Sequence, residues 1–250
     1  MLDRATFLRP IAHRGLHAAR RGIVENTLPA FEAAIRKGYG IECDLRSAAL
    51  GEPVVFHDGT LERLVSGRGP IAHCSFADLK RLRYRHAPSI SIVTFAELLD
   101  FIDGRVPLLV EIKSEWTPPE VAFLKRVARL ASSYRGPIAL MSFDPAVMEV
   151  IKTLSPTLPR GIVSGSYAGS GWWDRRLSRT RADALKNLRE SESVAPDFYA
   201  YEIGALPTAA TEEVRKVKDF PLFTWTVRSK KDRERAALWA DAMIFEGFEP

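Results

Sequence analysis

Two histidines, three carboxylates and two cations sit in or at the ends of short apolar runs in the first half of the chain. The first run ends in His13-Arg14-Gly15, the second contains Glu42 and Asp44, its companion ends in His57-Asp58, and a later run ends in Glu111 and Lys113. Glu42 and Asp44 are two apart, so on a strand both carboxylates point one way while Ile41, Cys43 and Leu45 point the other. Neighbouring acids repel, and burying them near Glu111 is costly unless a cation neutralises the group. Oxygen ligands without cysteine select one hard divalent ion, magnesium or calcium. The alternative is ion pairing with Arg14, Arg46 or Lys113. His13 and His57, at comparable strand ends, are a candidate general acid and general base near neutral pH, with metal ligation as their other option. Together these groups suit transfer at phosphorus, where charge on nonbridging oxygens is stabilised while one oxygen attacks and another leaves. No Walker loop and no G-x-S-x-G elbow occurs, which disfavours nucleotide-driven phosphoryl transfer and serine hydrolysis.

Such residues need a scaffold that gathers strand ends. Apolar runs rich in valine and isoleucine alternate with helical patterns along the chain, the signature of parallel strands covered by helices. Strands are expected at 8–12, 41–45 with a companion at 53–56, 107–112, 138–142, 160–163, 197–201, 222–227 and 242–245. About eight units in 250 residues predict an α/β fold, a TIM-type (β/α)8 barrel. An open doubly wound sheet is second, because no glycine-rich turn follows the first strand. Helices start at Thr94, where Glu97 completes a capping box, at Asp144-Pro145, and at Asn26 or Thr27. Glu25 and Asn26 are read as capping and orienting that first helix, with positioning of a mouth residue as a further option for Glu25. Residues 58–93 exceed a normal loop and are expected to form an insertion on the active face, with a short helix after Ser75. No linker or composition shift divides the chain, so a single domain over 1–250 is expected.

With 46% hydrophobic and 27% charged residues, the chain has the composition of a soluble globular protein. It lacks a membrane-spanning run and an apolar leader, which predicts a cytoplasmic location. Two cysteines exclude a disulfide framework and a four-thiolate zinc site. Thirty-six basic against 31 acidic residues give +5, a mild excess that does not call for nucleic acid. The cationic run from Arg175 to Arg189 has an apolar stripe of Leu177, Ala184, Leu185 and Leu188 beneath it, as a solvated helix face would.

The motifs IAHRG (11–15), ENTLPAF (25–31), IECD (41–44), VVFHD (54–58) and VEIK (110–113), in this order, resemble the glycerophosphodiester phosphodiesterase family, with weaker agreement at MSFD (141–144) and FTWTV (223–227). The resemblance implies a TIM-type barrel in which Glu42, Asp44 and Glu111 bind one divalent metal, His13 and His57 are the acid/base pair, and Arg14 and Lys113 hold the phosphate. It also implies attack by a neighbouring substrate hydroxyl, giving a cyclic phosphate that water opens to glycerol 3-phosphate and an alcohol. Two residues depart from the family pattern: Glu246 stands where aspartate is usual, and Arg228 where asparagine is common. Both departures bear on the alcohol side of the pocket.

Trp225 shares a strand face with Phe223 and Val227; it is either barrel core or, by the resemblance, a substrate wall. The glycine-rich loop 164–174 is expected to act as a lid. Its Trp172 and Trp173, beside the basic helix, could instead touch an anionic membrane surface. The expected partner is a small phosphodiester. The competing functions are a phosphodiesterase acting on another lipid or sugar phosphodiester, and a barrel that binds phosphorylated ligands without turnover. Oligomeric state is not legible from this chain.

Overall fold

Nine strands run through the computed structural model, which describes residues 1–169, 173 and 175–250. They are β1 (Ile11–Ala12), β2 (Gly40–Ala48), β3 (Glu52–Val55), β4 (Leu108–Ile112), β5 (Ile138–Ser142), β6 (Arg160–Ser164), β7 (Phe198–Glu202), β8 (Leu222–Val227) and β9 (Ala242–Phe245). The sheet order is β1-β9-β8-β7-β6-β5-β4-β2-β3, and β1 also pairs with β2. With β3 set aside, the other eight strands close into the expected (β/α)8 barrel. Helices α1 (Arg4–Phe7), α2 (Leu28–Arg36), α3 (Phe76–Arg81), α4 (Phe95–Ile102), α5 (Val121–Ser133), α6 (Pro145–Leu154), α7 (Arg179–Lys186), α8 (Ala209–Glu212) and α9 (Lys230–Trp239) punctuate the strands. None of the described helices is long and apolar enough to cross a membrane.

One expectation about elements is corrected. Of residues 8–12 only Ile11–Ala12 is strand; Asp3 accepts from Ala5 N–H at 3.1 Å and starts a helical turn in the preceding residues instead. The expected companion strand, β3, lies beside β2 and outside the eight strands of the barrel. It folds back antiparallel on β2 in the register Leu45↔Val55 and Arg46↔Val54, and its Pro53 is tolerated on this edge, where no ladder donor is needed.

Contacts divide the described chain into two compact units. One contains 12–113 and 120–138. Here β2 and β4 pair in parallel, Asp44 opposite Glu111 and Cys43 opposite Val110. Thr94 and Glu97 form the expected capping box, at 2.8 and 3.1 Å, and α4 buries Phe95, Leu98, Leu99 and Ile102. Each such side chain contributes about 1.5–3 kcal/mol on burial. The segment after β3 packs a core of its own from Leu61, Val65, Ile71, Leu79 and Tyr84 against Val54 and Phe56. Ser75 caps α3 by accepting from Asp78 N–H at 3.2 Å, as its sequence predicts.

The other unit contains 1–11, 114–119 and 139–250. Strands β5 to β9 pair in parallel within it. Gly161 lies under the Phe198 ring, where an added Cβ would come within 2.4 Å of the ring carbons. Asp144 caps α6 through Ala146 N–H at 3.1 Å, and Pro145 occupies the first turn. The basic run is the outer face of α7 and its flanks, over buried Leu177, Ala182, Leu185 and Leu188, with Ala184 only half-buried.

Candidate active site

The turn after β1 carries the first pair of functional groups. Arg14 and Gly15 both lie at positive φ, 55° and 78°, and a Cβ on Gly15 would press into the Ala30 carbonyl carbon at 2.8 Å. Leu16 N–H donates to Ala30 O at 2.9 Å, which ties this turn to α2. His13 is thereby held with Nε2 3.9 Å from Glu42 Oε2, and Arg14 N–H donates to that same oxygen at 2.9 Å.

Strand pairing supplies the carboxylates. Glu42 and Asp44 share one face of β2, and Asp44 lies opposite Glu111 on β4, so each of the three offers an oxygen within 4.8 Å of the others. All three are buried. Lys113 reaches back to Glu111 Oε1 at 2.5 Å and Asp44 Oδ1 at 2.8 Å, and Arg14 Nε lies 3.2 Å from Asp44 Oδ2. The alternative of ion pairing is therefore partly realised, but it does not saturate the cluster. Three acids face two cations, and the buried Glu42 Oε1 has no hydrogen-bond partner. Burial, then repulsion from Asp44 and Glu111, raises the Glu42 carboxyl well above the usual range. Asp44 is lowered despite its burial, because Lys113, Arg14, His57 and His13 surround it. A divalent cation fits this donor set: it would satisfy the orphaned oxygen and remove the excess negative charge.

The second histidine arrives by the hairpin. Phe56 N–H donates to Asp44 O at 3.0 Å, so β3 returns His57 to the level of Asp44. Arg46 Nε donates to His57 O at 2.8 Å and anchors its backbone. His57 Nδ1 is 2.7 Å from Asp58 Oδ1.

The sequence-selected residues His13, Arg14, Glu42, Asp44, His57, Glu111 and Lys113 thus fall in one compact unit and are linked by the contacts above. Trp225 belongs to the other. There its indole is half-buried, meets Phe143 edge-on at 5.3 Å and donates to Ala200 O at 3.3 Å, whereas Phe223 and Val227 are buried outright. The two residues that depart from the family pattern meet, Arg228 Nη2 donating to Glu246 Oε2 at 3.0 Å. The expected lid lies partly outside the described residues, which leave out 170–172 and 174, Trp172 among them. In the rest of that loop Ser166 donates twice to Glu202 Oε2, at 2.8 and 2.7 Å, and Tyr167 meets Trp173 edge-on at 6.0 Å.

Three further residues support the site, of which Asn26 and Arg63 were not legible as its components. Asn26 does not cap α2; Thr27 is its N-cap residue, and Asn26 instead clasps Asp44, donating from Nδ2 to Oδ2 at 2.7 Å and accepting from Asp44 N–H at 3.2 Å. Glu25 takes its further option and accepts from Arg14 Nη1 at 2.7 Å. Arg63, from the segment after β3, donates to both Glu25 and Asp58. Asp58 was visible as His57's neighbour, while nothing local marks Arg63.

Comparison with known proteins finds similar chains and folds. A Mycobacterium tuberculosis protein named probable glycerophosphodiester phosphodiesterase 1 is 30% identical over 172 residues, taking in 60% of this chain, and the chain spans 61% of that relative's length. The crystal structure of a putative glycerophosphoryl diester phosphodiesterase from Silicibacter pomeroyi superposes with a TM-score of 0.75 at 22% identity, covering 96% of this chain and 90% of that one. An Oleispira antarctica phosphodiesterase, solved in complex with the product sn-glycerol-3-phosphate, superposes with a TM-score of 0.72 at 21% identity, covering 95% and 92%. These two structures share the barrel fold. The family model described as glycerophosphoryl diester phosphodiesterase family matches residues 13–247, and the chain belongs to that family.

Proposed function

We propose that the chain hydrolyses glycerophosphodiesters to glycerol 3-phosphate and an alcohol, using His13 and His57 as the acid/base pair and one divalent cation held by Glu42, Asp44 and Glu111. One observation carries this: two histidines, a buried carboxylate triad with an orphaned oxygen, and two paired cations occupy one compact unit. A barrel that only bound phosphate would need the cations but no proton donor and acceptor. The Oleispira antarctica structure, with its glycerol phosphate product, supports the choice of substrate.

The bound cation supplies Lewis-acid stabilisation of charge on phosphate oxygens. Arg14 and Lys113 bind the phosphate and offset its charge; both are kept cationic, raised above their ordinary values by Asp44 and other acids in spite of burial. The cyclisation step conserves its atoms. The glycerol 2-hydroxyl attacks phosphorus and gives its proton to one histidine, the bond from phosphorus to the alcohol oxygen breaks, and the other histidine protonates that oxygen. Water then opens the cyclic phosphate with the two roles reversed. Because the ionised Asp58 accepts from His57 Nδ1–H, the proton that His57 exchanges with substrate is on Nε2.

Trp225 enters as a substrate wall through the resemblance, supported by its half-buried indole. A cytoplasmic setting fits the free thiols of Cys43 and Cys74. A second reading, a different alcohol or head group, is favoured by the Arg228 to Glu246 pair. The test is release of glycerol 3-phosphate from a panel of glycerophosphodiesters with magnesium, calcium or chelator. Metal-dependent release that His13→Ala or His57→Ala abolishes supports the proposal. No turnover with any member, despite metal binding, overturns it in favour of another phosphodiester or a binding barrel.

A further inference from the structure

A cation from outside the barrel strands joins the two sides of the site. Arg63 lies in the segment between β3 and α4 and presents two edges of its guanidinium to two carboxylates. On one edge Nε donates to Asp58 Oδ2 at 2.6 Å and Nη2 to Asp58 Oδ1 at 3.0 Å. On the other, Nη1 donates to Glu25 Oε2 at 2.9 Å and Nη2 to Glu25 Oε1 at 2.7 Å. Asp58 Oδ1 is also the atom that meets His57 Nδ1 at 2.7 Å, and Glu25 Oε1 is also the acceptor of Arg14 Nη1 at 2.7 Å. The chain of contacts therefore reads His57, Asp58, Arg63, Glu25, Arg14 without a gap.

We infer that Arg63 is a positioning residue that couples the orientation of the His57 imidazole to that of the Arg14 guanidinium. This rests on the acid/base and phosphate roles proposed above. The geometry gives the physical reason. An ionised Asp58 can only accept, so it fixes the proton of His57 on Nδ1 and leaves Nε2 toward the reaction. Asp58 holds the ring only if it is itself held, and both its oxygens are engaged by Arg63. Glu25 in turn stabilises the Arg14 side chain, whose backbone already occupies a left-handed conformation. A lysine could not replace Arg63, because a single ammonium cannot present two planar edges to two carboxylates about a common centre.

An ordinary surface ion pair would be worth little, and Arg63 is half-exposed, so the decisive measurement is one that a merely stabilising contact would not move. Histidine 15N NMR of the resting protein reads the tautomer directly. The native chain is expected to show His57 as the Nδ1–H form, and Arg63→Met and Arg63→Lys to shift population toward Nε2–H, with Asp58→Asn as the reference for a lost acceptor. In turnover, Arg63→Met is expected to lower kcat about a hundredfold, the usual consequence of a misplaced catalytic group, and to raise KM as Arg14 loses its brace. Arg63→Lys should restore thermal stability without restoring kcat or the tautomer. An unchanged His57 tautomer in folded Arg63→Met, or full rescue of kcat by lysine, overturns the inference. Should Arg63→Met fail to fold, Arg63→Gln and Arg63→Lys carry the same test. Because the NMR measurement needs no substrate, a failure of the proposed activity and a failure of this coupling give different results.

Discussion

Acidic residues end strands in both compact units, and they are treated in opposite ways. Asp144, just after β5, is buried and fully used: it accepts from Ala146 N–H at 3.1 Å and from Ser114 Oγ at 2.6 Å. Glu202, which ends β7, takes both donors of Ser166. On β2 and β4, by contrast, three buried acids crowd together, Glu42 Oε1 has no partner, and the Glu42 carboxyl is driven up in pKa by burial and by its neighbours. A carboxylate whose lone pairs are met by backbone and hydroxyl donors stabilises the fold. One left unsatisfied among like charges costs stability and is poised for a ligand.

The largest effects should come from breaking the unsatisfied side. His13→Ala and His57→Ala are each expected to lower kcat about 10²- to 10⁴-fold, measured as release of glycerol 3-phosphate, while the melting temperature stays near that of the native chain. Survival of most activity in either variant would remove that histidine from the acid/base pair. Next, magnesium or calcium at a hundredfold excess over Kd should stabilise the native chain by about 2.7 kcal/mol. That corresponds to a melting shift of roughly 5–10 °C by calorimetry. Glu42→Gln should lose the shift and, in chelator, melt higher than the native chain, because it removes a buried like charge. If Glu42→Gln in chelator is instead less stable, the triad is a satisfied structural cluster and the contrast with Asp144 collapses.

Asp144→Ala probes the satisfied side. Losing this cap should cost about 1–2 kcal/mol in urea unfolding and leave the metal-induced shift intact. The acid limb of stability sharpens the picture further. Burial raises the Asp58 and Glu25 carboxyls, but hydrogen bonds from His57 and Arg63 to the first, and from Arg63 and Arg14 to the second, bring both below their ordinary values. Groups with lowered folded pKa stabilise fully above the ordinary values of 3.8 and 4.5, and that contribution is lost as pH falls through the folded values. Urea midpoints should therefore fall below about pH 4, and less steeply in Glu25→Gln; equal slopes would show that this network adds nothing to stability. The smallest effect is reserved for Arg228→Ala. Its half-exposed pair with Glu246 should change stability by less than about 1 kcal/mol, so any altered preference across a substrate panel reports on the alcohol side rather than on folding.

Much of this was legible because strand periodicity is local. The two-residue spacing of Glu42 and Asp44 fixed a common face, and the apolar runs at 138–142, 222–227 and 242–245 match β5, β8 and β9 residue for residue. Caps at Thr94, Asp144 and Ser75 were equally plain, since a cap and its amide partner lie within three residues. The N-terminal strand was overextended because Asp3 and its cap compete over a few residues, where propensity decides little. The antiparallel direction of β3 was not legible, for an apolar run does not state its direction.

What the chain determined by itself was therefore the barrel and which residue types end which strands, with Glu42 and Asp44 on a common face. Tertiary structure decided who restrains them. Asn26 was written as a helix cap and became a clasp on Asp44, Glu25 became the brace of Arg14, and Arg63, 38 positions along the sequence from Glu25, joined that brace to Asp58. Charge pairing between distant residues depends on where loops return, and no periodicity encodes it. A carboxylate is also a ligand or a cap according to how many donors surround it, and that number exists only once the chain has folded.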